Sequence, residues 1–287
     1  MRTVNTVEAL RGQIKSWRQA GESIAFVPTM GNLHDGHLTL VKTARSRADR
    51  VVVSIFVNPM QFGANEDLGS YPHTPEADAS ALVEAGVDLL FLPSAEVLYP
   101  NGLDAHTKVE VPGLSALYCG DSRPGHFRGV TTVVCKLFNL VSPDLAVFGM
   151  KDYQQLAIIR RMVADLAMDL DIVGVDTVRE KDGLAMSSRN GYLSPEERAR
   201  APALHACLQA LAAKLRGGYD NFDALIAAGK KQLGKAGLVP DYLHIVHADS
   251  LEKAAKGDEK LVILAAAQLG RARLIDNLVV DLQPGAN

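Results

Sequence analysis

Two histidines three residues apart, His34 and His37, stand in the stretch PTMGNLHDGHLTLV at residues 28–41, directly after the apolar run Ile24-Ala25-Phe26-Val27. At i, i+3 the two imidazoles share one face of a first helical turn, and the unpaired N–H groups of such a turn already favour an anion. Imidazole donors added there suit a phosphate chain whose negative charge grows as a P–O bond breaks. A pair of capping or core histidines would give the same spacing. A metal pair is disfavoured, because no third ligand is evident nearby and a positive helix terminus repels a cation.

Other stretches offer complementary chemistry. Met186-Ser187-Ser188-Arg189 supplies two hydroxyls, loop backbone and a guanidinium that can fork onto phosphate oxygens, although a polar turn before Tyr192 would need the same residues. Lys151-Asp152 pairs a phosphate cation with a carboxylate able to hold ribose hydroxyls; its plainer reading is an exposed ion pair. Gln61 and Gln155 are neutral amides that can orient a hydroxylated or carboxylated substrate without moving protons. Arg123-Pro124-Gly125-His126-Phe127-Arg128-Gly129 reads as a glycine-punctuated loop, either an anion contact or lid or simply surface. Glu76 and Asp78 fall in a helix's first turn, where acids stabilise the dipole with or without a magnesium role. The remaining histidines read as structural.

The elements that must position these residues follow from periodicity. Asn5 followed by Glu8 predicts a helix to about Gln19, then a strand at 23–27. A helical pattern starting near His34 or His37 leads to a β-branched strand at 51–57. Thr74-Pro75 opens a helix that stops at Gly86, and a strand follows at 88–92. A helix at 130–140, a strand at 145–148, a helix at 152–166 and a strand at 171–175 complete the series. Alternation of this kind predicts the α/β class: a Rossmann-like doubly wound parallel sheet, residues 1–176, for nucleotide and substrate. Beyond it, helices at 196–216 and 222–233 precede strands at 242–246, 260–266 and 272–280, the pattern of a smaller C-terminal α+β domain, residues 177–287, expected to close over the site. The tail 284–287 is expected to be loose.

In such sheets ligands bind beyond the carboxyl ends of the strands. The polar oddities all follow strand ends: Met30-Gly31-Asn32-Leu33-His34-Asp35-Gly36-His37, then Asn58-Pro59-Met60-Gln61, then Gly149-Met150-Lys151-Asp152, then Val178 and the MSSR loop. They are expected to open on one crevice.

Composition narrows the class. Thirty Lys and Arg against 33 Asp and Glu leave a formal net charge of −3, so no basic field exists to grip nucleic acid. Cys119, Cys135 and Cys207 are odd in number and far apart, and read as small buried hydrophobes rather than a disulfide or zinc set. MRTVNTVEALRG lacks a secretory apolar region and no window reaches a membrane-spanning length, so a cytoplasmic protein without a membrane partner is expected.

A two-histidine HxGH turn paired with a distant Ser/Arg loop resembles the HIGH and KMSKS signatures of the adenylate-forming nucleotidyltransferases. PTMGNLHDGHLTLV, FVNPMQFG, YPHT, RPGHFRGVTTVV, FGMKDYQQ and DGLAMSSRN, in that order, resemble the pantoate–β-alanine ligase (pantothenate synthetase) family over about residues 26–192. The resemblance implies a two-step, ATP-dependent ligation through pantoyl adenylate, releasing AMP and pyrophosphate, with Mg²⁺ as cofactor and a homodimeric assembly. By position it implies that residues 30–37 line ATP, with His34 and His37 at the phosphates and His37 as general acid. It puts Gln61 and Gln155 on pantoate, with Gln61 also meeting β-alanine. Gly149, Met150, Lys151, Asp152 and Val178 would cradle the nucleotide, Lys151 on phosphate and Asp152 on ribose, and Met186, Ser187, Ser188 and Arg189 would meet the triphosphate. A nucleotidylyltransferase for a phosphorylated acceptor would call for Arg or Lys near Gln61, which FVNPMQFG lacks. A non-catalytic ATP sensor would lack a histidine or the Ser/Arg loop, and both are present.

Overall fold

The computed structural model describes residues 1–64 and 66–282. Six strands, β1 (Arg2–Val4), β2 (Ile24–Thr29), β3 (Arg50–Ile55), β4 (Leu89–Phe91), β5 (Leu145–Gly149) and β6 (Asp171–Val175), form one sheet in the order β1-β4-β3-β2-β5-β6. Every pairing is parallel. Parallel sheets are covered on both faces, so their strands carry unbroken apolar runs. Ile24, Ala25, Phe26 and Val27 of β2 and Val51, Val52 and Val53 of β3 are accordingly all fully buried.

Alternate side chains of β2 serve opposite layers. Ala25 and Val27 join Val51, Val53 and Val147 under Leu40, Val41 and Ala44 of the helix Asp35–Arg45. Phe26 points the other way, edge-on to Phe138 of the helix His126–Val141 at 6.4 Å between centroids, and Phe138 meets Phe148 of β5 in the same manner at 6.3 Å. The sheet is therefore doubly wound as expected. From β2 the chain builds outward through β3 and β4, then returns to add β5 and β6 on the other side. The switch point lies between β2 and β5, which puts the HxGH turn where this fold binds ligands.

The second sheet is antiparallel, β7 (Val239–His247), β8 (Lys260–Leu269) and β9 (Ala272–Asp281) in that order. Leu204, Leu208 and Leu211 of the helix Ala203–Arg216 and Leu233 of the helix Phe222–Lys235 share a core with Leu243 and Ile263 of this sheet. The chain divides into two compact units: Met1–Met150 with Gln155–Asp176, and Lys151–Gln154 with the chain from Thr177 onward.

Several local expectations shift. The first helix, Val7–Gln19, is capped by Thr6, whose hydroxyl accepts from the Ala9 N–H at 3.2 Å, rather than by Asn5. β1, only three residues long, has too short a pattern to stand out. The loop expected at 123–129 is helical from His126, because Gly125 takes a left-handed φ of 82° and turns the chain into the helix. The helix expected at 196–216 is two, Pro195–Arg200 and Ala203–Arg216, broken around Pro202, which has no N–H to give. Cys119 and Cys207 are buried but Cys135 is partly exposed, and all three are free thiols. Burial pushes the Cys207 thiol up to about 11, so it packs rather than reacts. The expectation for the tail falls outside the described residues. No helix among those described is long and apolar enough to cross a membrane.

Candidate active site

The connection out of β2 is built by its neighbours. The Thr29 hydroxyl donates to the Ser54 carbonyl at 2.9 Å and accepts from the Gly31 N–H at 3.2 Å. Gly31 has φ 83°, and a Cβ there would lie 3.0 Å from Ile55 and 3.1 Å from Asp78 Oδ2, so no side chain fits without movement. Asn32 follows with φ 51°, a conformation that asparagine tolerates better than most residues. Asp78 holds both turns in place. Buried in the first turn of the helix Pro75–Glu84, it accepts the Asn32 N–H on Oδ2 and the Leu33 N–H on Oδ1, each at 2.8 Å. The Thr74 hydroxyl donates to Oδ1 at 3.0 Å. These bonds replace the hydration that a buried carboxylate loses, and they make Asp78, which stands in the helix's first turn as expected, a fastener of the loop as well.

The two histidines then cap the helix Asp35–Arg45 reciprocally. His34 is the N-cap residue, and its Nδ1 accepts from the Gly36 N–H at 3.1 Å. His37, at the third helical position, turns back so that its Nδ1 accepts from the His34 N–H at 3.3 Å. This is a capping box made of imidazoles, with ring centroids 4.1 Å apart. Since both Nδ1 atoms accept, the proton of each neutral ring belongs on Nε2. Capping thus engages Nδ1 of each ring.

Gln61 is fixed from three sides. After β3, Asn58 caps the short 3-10 turn Pro59–Gln61; its Oδ1 accepts from the Met60 N–H at 3.3 Å and from the Tyr99 hydroxyl at 2.7 Å. Asn58 Nδ2 donates to Gln61 Oε1 and to the Gly129 carbonyl, both at 3.1 Å. Gln61 Nε2 donates to Met30 Sδ at 3.3 Å, which brings together two residues picked from different strand ends. The Gln61 carbonyl meets His126 Nδ1 at 2.8 Å. Arg123 forks onto Glu66 and places Nη1 3.0 Å from His126 Nε2, so the neutral His126 accepts on Nε2 and donates from Nδ1. Burial pushes the Glu66 carboxyl up, but Arg123 outweighs it and holds the group below the usual range. The 123–126 segment therefore anchors the turn that carries Gln61. Sequence reading placed Asn58 after its strand but gave it no role, and it missed Tyr99 and Glu66, whose partners are remote in the chain.

In the C-terminal unit, the two expected nucleotide segments form one hairpin. The Met186 N–H donates to the Val178 carbonyl at 3.0 Å, Arg179 bridges to Ala185, and the Gly183 N–H closes the turn on the Glu180 carbonyl. Ser187 then caps the 3-10 turn Ser188–Tyr192, its Oγ accepting from the Arg189 N–H at 3.3 Å. Lys151 and Asp152 share the 3-10 turn Met150–Asp152, with Nζ 3.9 Å from Oδ2. Gln155 lies half-buried in the first turn of the helix Tyr153–Asp165.

The family model described as pantoate–β-alanine ligase matches residues 2–279. The chain belongs to the pantoate–β-alanine ligase family. Among relatives of this ligase, a pantothenate synthetase of Shewanella baltica is 58% identical over 96% of this chain and 98% of its own. One from Colwellia psychrerythraea is 57% identical over 98% of this chain and 100% of its own. The crystal structure of pantothenate synthetase from Thermus thermophilus, 49% identical, superposes with a TM-score of 0.91 over 97% of this chain and 99% of that one. A pantoate–β-alanine ligase from Francisella tularensis, solved with a β,γ-ATP ligand and β-alanine, is 32% identical with a TM-score of 0.80 over 97% of each chain.

Proposed function

We propose that this ligase condenses pantoate with β-alanine at the expense of ATP, by way of pantoyl adenylate, releasing AMP and pyrophosphate. What carries the reading is the imidazole capping box at the sheet's switch point, in a chain that matches the family over residues 2–279. A carboxylate is a poor electrophile. Attack of the pantoate carboxylate on the α-phosphorus expels pyrophosphate and leaves a mixed anhydride; the β-alanine amine then attacks the acyl carbon and AMP departs.

Each step asks for positioning and charge neutralisation more than for covalent help. The Nε2–H donors of His34 and His37 serve the phosphates, where their hydrogen bonds strengthen as negative charge builds on the leaving group. His37 is the general acid. Lys151 and Arg189 add fixed positive charge, residues 30–33, Asp35, Gly36, Gly149, Met150, Val178, Met186, Ser187 and Ser188 line the nucleotide, and Asp152 takes the ribose hydroxyls. Gln61, its side chain already oriented by Asn58 and Met30, and Gln155 hold pantoate, and Gln61 meets β-alanine.

Mg²⁺ belongs to the proposal as the partner of ATP. Among the described residues no three His, Cys, Asp or Glu side chains converge on a metal-sized site, and both Asp78 oxygens already take backbone amides. A cation that keeps waters and rides on phosphate oxygens fits that setting, and it would supply neutralisation of the departing pyrophosphate. A cytoplasmic location and a homodimer complete the reading. Incubating the protein with ATP, pantoate and β-alanine and separating the nucleotides tests it. Equal yields of AMP and pantothenate are expected; formation of ADP would overturn the adenylate route.

A further inference from the structure

The turn Lys151–Gln154 interrupts the N-terminal unit in sequence yet packs with the C-terminal one. Two hydrogen bonds dock it there. Asn277 of β9, nearly fully buried, donates Nδ2–H to the Lys151 carbonyl at 2.9 Å. The Tyr153 hydroxyl donates to the Ala248 carbonyl at 3.0 Å, in the turn after β7 whose Asp249 and Ser250 amides both point to His247 Nδ1 at 3.3 Å.

Asn277 is itself held by the residue before it. Asp276, 4% exposed, accepts the Asn277 N–H at 2.8 Å and a two-pronged contact from Arg179 at 2.7 and 2.9 Å. Arg179 also donates to the Gly183 carbonyl at 3.1 Å, in the turn of the hairpin that carries Val178 and Met186. One end of this dyad therefore fastens the 178–186 hairpin and the other fastens the Lys151 turn. A buried amide and a buried carboxylate are costly unless their hydrogen-bonding groups are used.

We infer that the Asp276-Asn277 dyad of β9 positions the ligase's nucleotide-binding residues, Asn277 by fixing the Lys151–Asp152 turn and Asp276 by fixing the Val178–Met186 hairpin through Arg179. The inference rests on reading Lys151 as a phosphate ligand. Asn277 is a positioning residue that acts through the Lys151 carbonyl, and an amide suits the task because it donates without charge. A carboxylate of the same size would set oxygen against oxygen.

The test compares Asn277→Asp, Tyr153→Phe and Lys151→Ala with Arg273→Gln, which removes an ion pair with Asp241 on the same sheet but touches none of this. KM is measured separately for ATP and pantoate, and folding is checked by circular dichroism. Asn277→Asp is expected to raise KM for ATP about tenfold, the scale of one lost buried hydrogen bond, with KM for pantoate within about twofold and Arg273→Gln unchanged. A rise in KM for ATP on Lys151→Ala without one on Asn277→Asp overturns the inference alone. No rise on either overturns the Lys151 assignment as well. Equal rises for ATP and pantoate would mean general loosening and also overturn it. If Asn277→Asp does not fold, Tyr153→Phe decides: a rise of about threefold for ATP alone supports docking of the turn, and no change contradicts it.

Discussion

At the scale of the residue, His37 caps the helix through Nδ1, and the proposed phosphate contact would use its Nε2–H, so substitutions can remove one without the other. His37→Ala is expected to lower kcat about a hundredfold or more with pantoate KM nearly unchanged, and to cost about 1 kcal/mol of stability through the lost cap. His37→Asn can still accept the His34 N–H; its melting temperature should recover while kcat stays low. A kcat that recovers together with the melting temperature would assign His37 to capping alone. The spacing of His34 and His37 was legible because it is local. Asp78 and Asn58 were not, since their partners lie 46 and 71 residues away in the chain, at Asn32 and Gly129, and nothing in a buried acid or amide announces a remote backbone group.

At the scale of the element, Gly129 lets the helix His126–Val141 press directly on the turn that carries Gln61. A Cβ at Gly129 would stand 2.5 Å from the Met60 carbonyl oxygen and 2.6 Å from Gln61 Cα. Gly129→Ala must therefore push the Pro59–Gln61 turn outward, for about 1–3 kcal/mol of stability, and it should raise KM for pantoate more than KM for ATP. Equal KM values for the variant and the parent would show that the turn absorbs the methyl group without moving Gln61. The parallel strands were readable because burial on both faces leaves continuous apolar runs, as in Val51-Val52-Val53. The start of this helix was not, because Pro124-Gly125 reads as loop when the left-handed φ of Gly125 actually launches the helix. Pro202 acted in the opposite direction, splitting an alanine-rich pattern whose periodicity continues across it.

At the scale of the whole molecule, titration of Asp276 connects the C-terminal unit to acid stability. Burial pushes this carboxyl up, but His205 and the Arg179 fork outweigh burial and hold it below its usual range. A depressed carboxyl contributes stability fully above its unfolded value, about 4, and loses it as pH falls through the lower folded value. Asp276→Asn should therefore cost about 3 kcal/mol near pH 7, where Arg179 is left without its partner, and the gap in melting temperature should shrink below about pH 4. A gap that stays constant from neutral to acid pH would remove Asp276 from the acid limb. The architecture of both units was legible in outline, from the order of strands and helices. That the Lys151–Gln154 turn packs with the later unit was not, because it follows from Asn277 and Tyr153 reaching across the sequence.

In the proposed reaction an acyl adenylate forms before β-alanine reacts. Exchange of labelled pyrophosphate into ATP measures that step alone. Exchange is expected to require pantoate and to proceed without β-alanine; exchange that appears only when β-alanine is added would rule out an adenylate formed ahead of the amine.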